Sequence, residues 1–294
     1  MLPPHFFFLI VAMANDEKKC FRFARVAAYD GGIGVFATRD IRLGEVVLQE
    51  RPLILATTPE TLDVAMANLG PKERKQFLSL TDWRNSPKTA LGIFQSNGYP
   101  CGEEAGVFFE FSRFNHSCGP NASHAWRHGC RYVFAAKNIK AGEELCTNYI
   151  DLAQPRSQRR ALLKEHFGFD CCCSACASSE DSRTSDTRRH RIANLDDITY
   201  DDVSHGRYDE ALKGVEERIA LLKAEGIDSP ATLVRCAYDA YQAMDHKGDF
   251  PEATLWLKRV IDFSRLCEPP DSEEISSLEA KLATLRRRSQ EKAS

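Results

Sequence analysis

Short runs of alternating apolar and polar residues mark the first half of the chain. Residues 21–26 alternate in the way that a half-buried strand does. Further short strand candidates are residues 34–37, 45–50, 132–135 and 143–147. The pattern predicts that residues 132–135 pair with Ala125 and Trp126 across a turn at His128-Gly129. Short strands separated by frequent turns indicate a mainly β region.

Helical spacing replaces this alternation in several places. Residues 61–69 and 71–80 carry apolar side chains at helical intervals, and residues 89–94 form a shorter candidate. Residues 155–166 predict a basic amphipathic helix that leads into a group of cysteines. The polar and charged residues 178–194 predict a linker, and only helices are predicted beyond it.

An internal repeat lies within this helical part. The sequence Gly-Arg-Tyr-Asp-Glu-Ala at residues 206–211 recurs as Gly-Asp-Phe-Pro-Glu-Ala at residues 248–253. The offset is longer than the ~34 residues of tetratricopeptide (TPR) repeats, so the units are predicted to be TPR-like. Two coincidental helix starts are the alternative. The recurrence of Gly, an aromatic residue, Glu and Ala in register favours the repeat.

Composition limits the class of protein. The 294 residues suffice for one large domain or two ordinary ones, and 43% hydrophobic with 28% charged residues is typical of a soluble globular chain. A net charge of −3 argues against direct nucleic-acid binding. The basic runs at residues 188–191 and 286–288 are interpreted as part of the linker and of the C-terminal tail.

The 11 cysteines are odd in number, and four of them fall within six positions, which favours a reducing compartment and a metal over disulfides. Residues 6–11 are apolar and Ala12-Met13-Ala14 resembles a signal cleavage site. No Lys or Arg precedes the run, and it is too short to span a bilayer. We therefore expect the nucleus or the cytoplasm and no membrane association. Met13 is an alternative start, so the status of residues 1–12 stays open.

Side chains able to bind ligands or metals are most concentrated in the segment Arg-Phe-Asn-His-Ser-Cys-Gly-Pro-Asn at residues 113–121. Asn115 offers a planar amide, His116 an imidazole and Cys118 a thiol, and the Gly-Pro-Asn sequence predicts a turn. On its own the segment also fits an ordinary polar loop with one buried cysteine.

Three further motifs surround this segment. The first is a glycine-rich loop at residues 30–37, followed by Asp-Ile-Arg-Leu-Gly-Glu at 40–45. The second is Ala-Gly-Glu-Glu-Leu at 141–145, followed by Asn148-Tyr149. The third is Phe-Gly-Phe-Asp-Cys-Cys-Cys-Ser-Ala-Cys at 167–176. In this order the motifs resemble the SET-domain protein lysine methyltransferases, over roughly residues 20–176. The resemblance is greatest to the SET-and-MYND group and related fungal SET proteins. Only Cys101 lies between Cys20 and Cys118, so the Cys/His-rich MYND zinc module is missing there.

The resemblance implies an α+β protein. Its expected parts are a mainly β SET fold with a pseudoknot and a helical insert, a post-SET zinc loop, and an all-α TPR-like region. The expected boundaries are an N-terminal extension (1–19), the SET domain (20–150, insert about 57–98), the post-SET segment (151–177), the linker (178–194) and the TPR-like region (195–294). The implied activity is transfer of a methyl group from S-adenosylmethionine to a lysine side chain of a protein substrate, histone or other.

Specific site residues follow from the same resemblance. Tyr149 matches the catalytic tyrosine, which also touches the cofactor. The expected cofactor contacts are Gly32, Ile33, Gly34, Asn115, His116, Tyr149, Phe167 and Phe169. The alternatives are a core tyrosine with a capped hydroxyl, a plain glycine hairpin, and phenylalanines that only anchor a loop.

A metal site is the remaining candidate. Cys171-x-Cys173-x-x-Cys176 supplies three thiolates, and Cys118 can complete a tetrahedral zinc site. Cys172 can replace a neighbour as ligand, but the family register favours 171, 173 and 176. Four protein ligands leave no open position, which makes the zinc structural and argues against a zinc hydrolase.

Two hypotheses about function remain. The first is a protein-lysine N-methyltransferase acting on a soluble protein such as a histone, with a protein partner on the helical region. The alternative is a catalytically silent SET and TPR-like scaffold. The intact set of site residues favours catalysis.

Overall fold

The computed structural model describes residues 19–26, 32–177 and 182–293. Most of the N-terminal extension, with its apolar run at 6–11, lies outside these residues, as do Asp30, Gly31 and the start of the predicted linker.

Small β-sheets make up the first half of the described chain. The strands are β1 (Phe21–Val26), β2 (Gly32–Ala37), β3 (Val46–Glu50), β4 (Ile54–Ala56), β5 (Gly98–Cys101), β6 (Glu104–Val107), β7 (Asn115–His116), β8 (Ala122–Arg127), β9 (Cys130–Ala135) and β10 (Cys146–Thr147). They form the sheets β1-β2, β3-β9-β8, β4-β6-β5 and β7-β10. The predicted hairpin is confirmed: Ala125 pairs with Tyr132, and Trp126 pairs with Arg131, one residue before the predicted strand. The predicted strand at 143–147 is shorter, with regular pairing only at its end.

Three helices lie between β4 and β5, where a helical insert was expected. They are α1 (Pro59–Ala67), α2 (Pro71–Leu78) and α3 (Ala90–Asn97). Proline opens both α1 and α2, and the Thr58 side chain caps α1. Phe77 and Leu80 are fully buried in the core that the insert shares with β4 and β6. This packing places the N-terminal end of β5 beside the candidate site.

Residues 143–147 run between two segments that are distant in sequence. On one side, the Leu145 amide donates to the Val35 carbonyl of β2 at 2.8 Å. On the other side, β10 pairs in parallel with β7, and Ser117 donates to the Thr147 carbonyl at 2.9 Å. A 3-10 turn at Phe111–Arg113 leads into β7. This threading brings Asn115 and Tyr149 into one region.

Helix α4 (Arg156–Phe167) confirms the predicted amphipathic helix, and it is followed by the short α5 (Ser174–Ala177). Gly168 ends α4 with φ +76°, a conformation that favours glycine. A Cβ atom there would lie 2.5 Å from the Trp83 ring, so only glycine fits. The chain turns at this point into the cysteine cluster.

The expectation of a linker at 178–194 needs correction, because α6 spans Ser182–Ser204. The polar composition of this segment gave no sign that one face of the helix is buried. That face carries Arg189, Ile192 and Leu195, which are spaced three residues apart and are each only 1% exposed. The helix therefore packs as part of the helical region.

The helical region continues with α7 (Tyr208–Glu225), α8 (Pro230–Lys247), α9 (Phe250–Ser264) and α10 (Glu273–Ala293). Both repeat units begin in the same way. Gly206 and Gly248 have φ of +73° and +75°, and the helices start at Tyr208 and Phe250. An α+β fold with a mainly β first half and a helical second half is thus confirmed. No helix in the described ranges has the length and hydropathy to cross a bilayer.

Polar tethers join the helices to the β region. Arg127 forms a bidentate ion pair with Glu268 at 2.8 and 2.6 Å. Lys137 donates to the Gly226 carbonyl at 2.8 Å. The tethers hold α7 and the end of α9 against the sheet that contains β8 and β9.

Candidate active site and thiol cluster

Asn115 lies on β7 with its amide held in one orientation. Its Nδ2 group donates to the Ile33 carbonyl at 3.2 Å and to Glu144 Oε1 at 2.8 Å. Its Oδ1 atom has no hydrogen-bond donor among the described residues and the side chain is half-buried. The orientation therefore presents an acceptor to a cationic ligand such as an ammonium group.

Glu144 and Gly34 make this orientation possible. A Cβ atom at Gly34 would lie 2.5 Å from Glu144 Oε1 and 3.1 Å from Asn115 Nδ2, so β2 needs glycine there. Burial raises the pKa of Glu144, and its hydrogen bond from Asn115 opposes the rise. Gly32 opens β2 opposite Val26, one residue before Ile33. The glycine loop thus leaves room for Asn115 and helps to hold its side chain in place. The motif alone did not reveal this role.

Tyr149 follows β10 and points its phenol back toward the 3-10 turn. The hydroxyl donates to the Phe114 carbonyl at 2.7 Å. It also makes a hydrogen bond with the phenol of Tyr99, whose pKa burial raises to about 12. Because the Tyr149 hydroxyl donates its hydrogen bond to the Phe114 carbonyl, its oxygen can act only as an acceptor toward a group in the adjoining cleft. Sequence reasoning missed Tyr99, because β5 reaches the site only through the helical insert.

His116 joins Tyr149 to the thiol cluster. Its Nδ1 atom accepts from the Tyr149 amide at 3.0 Å, so its Nε2–H faces the Cys118 sulfur at 3.3 Å. Burial lowers the pKa of His116 to about 4. The ring is therefore neutral at pH 7, and only its faces and the main chain are available to a ligand.

Phe167 and Phe169 flank Tyr149 on the other side. The ring centroids lie 5.0 Å and 6.5 Å from that of Tyr149, and Phe169 lies 6.3 Å from His116. A cleft of about 400 Å³ opens beside them, lined by Tyr149, Phe167, Tyr99 and residues of α3. These aromatic side chains give the cleft apolar walls beside the phenol of Tyr149.

The structure brings Cys118, Cys171, Cys173 and Cys176 together. Their sulfur atoms all lie within 4.8 Å of one another, and Cys118 and Cys176 are 3.6 Å apart. Tetrahedral zinc with Zn–S bonds of ~2.3 Å requires S–S edges of ~3.8 Å, so the donor set fits zinc. Hydrogen bonds from the other three thiols hold the pKa of Cys173 far below its ordinary value, and the Cys118 amide also donates to it at 3.4 Å. Cys172 is exposed and outside the cluster.

Glu50 supports the site from β3 and was not identified from the sequence. Its carboxylate accepts the amides of Phe109 and Glu110 at 2.9 Å and of Phe111 at 2.8 Å. It thereby fixes the start of the 3-10 turn. Phe114, the residue after this turn, accepts the hydrogen bond from the Tyr149 hydroxyl. Burial raises the pKa of Glu50 to about 7, although the three amides oppose the rise.

This pKa gives a pH-dependent prediction. Because the native pKa of Glu50 exceeds its ordinary 4.5, the stability that the neutral form contributes is complete below pH 4.5 and is lost as pH rises through about 7. Relative to Glu50→Gln, the wild type should lose up to about 3 kcal/mol of unfolding free energy over this range. Denaturant unfolding of both proteins between pH 4.5 and 8 measures the difference. Parallel pH profiles would show that Glu50 does not titrate in this range.

Comparisons with known proteins agree with this geometry. The model of the SET domain family matches residues 32–150. Histone-lysine N-methyltransferase set5 of Schizosaccharomyces pombe is 32% identical over 252 residues, covering 83% of this chain and 78% of that protein. Protein-lysine N-trimethyltransferase SMYD5 of Gallus gallus is 34% identical over 107 residues, covering 34% of this chain and 26% of that protein. Histone-lysine N-methyltransferase Smyd1 of Mus musculus is 23% identical over 206 residues, covering 58% of this chain and 42% of that protein.

The fold, the threaded site and the match to set5 over most of both chains define the class of protein. The chain belongs to the SET-domain protein-lysine methyltransferases. Within this family it is similar to a fungal SET protein and, over less than half of their length, to SMYD proteins, as the motifs predicted.

Proposed function

We propose that this protein transfers a methyl group from S-adenosylmethionine to the side-chain amine of a lysine in a protein substrate. The observation that carries the proposal is the phenol of Tyr149, which donates a hydrogen bond to the Phe114 carbonyl and borders the aromatic cleft. Bound S-adenosylmethionine supplies an electrophilic methyl group on a sulfonium ion. The protein's part is to bind, orient and exclude water.

Each site residue has a role in this chemistry. Asn115 accepts a hydrogen bond from the ammonium end of the cofactor through Oδ1, and the Gly32–Gly34 strand and Phe169 flank the cofactor. The apolar walls of Phe167 and Tyr99 disfavour a charged lysine, so the amine enters neutral. Tyr149 orients the reacting groups with its phenol oxygen. His116, neutral and bonded to the Tyr149 amide, holds this phenol in place.

The Asn115 role predicts a loss of cofactor affinity on substitution. Asn115→Ala removes the acceptor and leaves Glu144 without its partner, so S-adenosylmethionine binding should weaken about tenfold or more. Calorimetric titration measures the affinity, with Asn138→Ala, at an exposed position near Leu43, as the control. Equal affinities of Asn115→Ala and the wild type would remove Asn115 from the cofactor site.

A structural zinc ion is proposed at Cys118, Cys171, Cys173 and Cys176. The ion would tie the loop after Phe169 to the segment that carries Asn115 and His116. With four protein ligands it has no open position for a reactant, so its contribution is to hold these loops together.

The TPR-like region is proposed to help select the substrate. A second cleft lies between β8, residues 148–153 and helices α7 and α8, and it shares His124 and Asn148 with the cleft beside Tyr149. A protein segment in the second cleft can therefore present a lysine to Tyr149. The division into SET domain (20–150), post-SET segment (151–177) and TPR-like region is part of this proposal, with α6 assigned to the last part.

This role predicts a selective effect of filling the second cleft. Ala231 lies exposed at the start of α8 and lines the cleft. Ala231→Trp should raise the KM for a protein substrate about tenfold while S-adenosylmethionine affinity stays unchanged. Ala280→Trp, exposed on α10 outside this cleft, is the matched control. Steady-state kinetics with equal KM values for both variants would contradict the proposal.

Because two relatives are named histone-lysine methyltransferases, core histones are the first substrates to test, followed by proteins of a cell extract. Isotope-labelled S-adenosylmethionine is added with wild type or Tyr149→Phe, and labelled lysines are located by mass spectrometry. The proposal expects label only with the wild type, on a nuclear or cytoplasmic protein. A catalytically silent scaffold, the alternative, predicts no label with either protein.

A further inference from the structure

Arg159 is a buried cation with an unusual environment. It lies on α4 with 0% of its surface exposed. Its Nη1 group donates to the Gln154 carbonyl, and its Nε–H has no acceptor among the described residues. Among the described residues, Arg159 forms no ion pair with a carboxylate. It lies one helical turn before Leu163, and Leu163 packs against Cys118, Cys171 and Cys176.

A second buried arginine beside it is neutralised by a carboxylate, as buried arginines usually are. Arg189 of α6 is 1% exposed and pairs with Glu225 at 2.9 Å, and it also donates to the carbonyls of Leu152 and Cys118. Glu225 already pairs with Arg188 as well. Glu225 therefore neutralises two other guanidinium groups, and the counterion of Arg159 must be a different group.

A guanidinium group buried without an anion costs several kcal/mol, so the cation requires a partner. Four neutral thiols would not provide one. Four thiolates around one zinc ion carry two net negative charges, and the cluster packs against the face of α4 that holds Leu163 and Arg159.

We propose that Arg159 is the buried counterion of a zinc-loaded thiolate site and donates hydrogen bonds to the sulfurs of Cys118 and Cys176. The proposal rests on the zinc site proposed above. N–H donors withdraw electron density from thiolate sulfur, which disfavours protonation of the ligands and loss of the metal. The fork of donors on arginine suits two sulfur atoms, whereas a lysine ammonium is a single point charge. Arg159 is thus a positioning residue for the metal ligands.

The test uses the full chain and a matched neighbour. Arg160 follows Arg159 on the same helix and is exposed, so Arg160→Gln makes the same charge change away from the cluster. Zinc transfer to a chromophoric chelator should be at least tenfold faster from Arg159→Gln than from the wild type and unchanged in Arg160→Gln. Arg159→Lys should show an intermediate rate.

Cobalt-loaded protein gives a readout that packing alone does not change. Loss of the N–H donors should shift the thiolate-to-cobalt charge-transfer band of Arg159→Gln to lower energy, and the band of Arg160→Gln should match the wild type. If Arg159→Gln does not fold, Arg159→Lys and Arg160→Lys are compared by the same two measurements, with a change expected only in the first.

Each result is decisive. Zinc release and band positions in the Arg159 variants equal to those of the wild type would overturn the counterion role while leaving the zinc site intact. Wild-type protein that contains no zinc and still methylates would overturn both zinc proposals but not the methyl transfer. Faster release from the Arg159 variants alone, with the shifted band, supports the proposal.

Discussion

Tyr149→Phe is expected to lower kcat for methyl transfer about 100-fold or more, with S-adenosylmethionine affinity nearly unchanged. The substitution removes one hydroxyl that is held by Phe114 at 2.7 Å. Removal of a single positioned polar group from a dry active site commonly costs ~3 kcal/mol of transition-state stabilisation. The ring itself remains, so its contacts with Phe167 and His116 persist.

The same change elsewhere provides the control. Tyr132 is buried on β9, stacks on Phe134 and lies outside the site. Tyr132→Phe should retain wild-type turnover. Single-turnover rates and calorimetry separate the chemical step from cofactor binding. A wild-type rate in Tyr149→Phe would remove Tyr149 from the catalytic role.

Cys173→Ser is expected to lower the free energy of unfolding by at least about 3 kcal/mol, and Cys172→Ser should have little effect. A structural zinc site contributes ~10 kcal/mol or more, and loss of one of four thiolates removes much of it. Cys173 belongs to the cluster, whereas the adjacent Cys172 is exposed. The pair therefore tests the ligand register at neighbouring positions.

Denaturant unfolding and elemental analysis measure both effects. The wild type and Cys172→Ser should contain about one zinc ion per chain, and Cys173→Ser should contain much less. Equal stabilities of the two variants would show that the register is wrong. Zinc-free wild-type protein that folds and methylates would contradict the metal site.

The sequence predicts much of the fold because its local patterns agree with the tertiary structure. Strand β1 has a half-buried pattern, β9 is a short run of β-forming residues next to a turn, α4 is amphipathic, and the glycines before α7 and α9 stop the preceding helices. The prediction failed at α6, where burial depends on Arg189. An arginine in a charged segment is ordinarily solvated, and only the facing Glu225 and the carbonyl groups make its burial favourable.

The supporting residues of the site could not be found in the same way. Glu50 and Tyr99 belong to no motif, and the motif that contains Glu144 does not reveal its partner; each acts on a segment that is distant in sequence. The role of Glu144 follows from the threading of residues 143–147 between β2 and β7, whereas Glu50 acts from β3 and Tyr99 from β5. Motifs indicate the candidate site residues, whereas the residues that orient them are found only from tertiary contacts.

The threading of residues 143–147 also has a consequence for the order of folding. Asn115 and Tyr149 take their positions only after the chain segment between them has closed into a loop and β10 has entered beside β2. Such non-local pairing is slow, because loop closure costs entropy before any contact compensates for it. The repeats α7 to α9, built from neighbouring helices, have no such requirement. The second half of the chain can therefore become helical before the candidate active site forms in the first half.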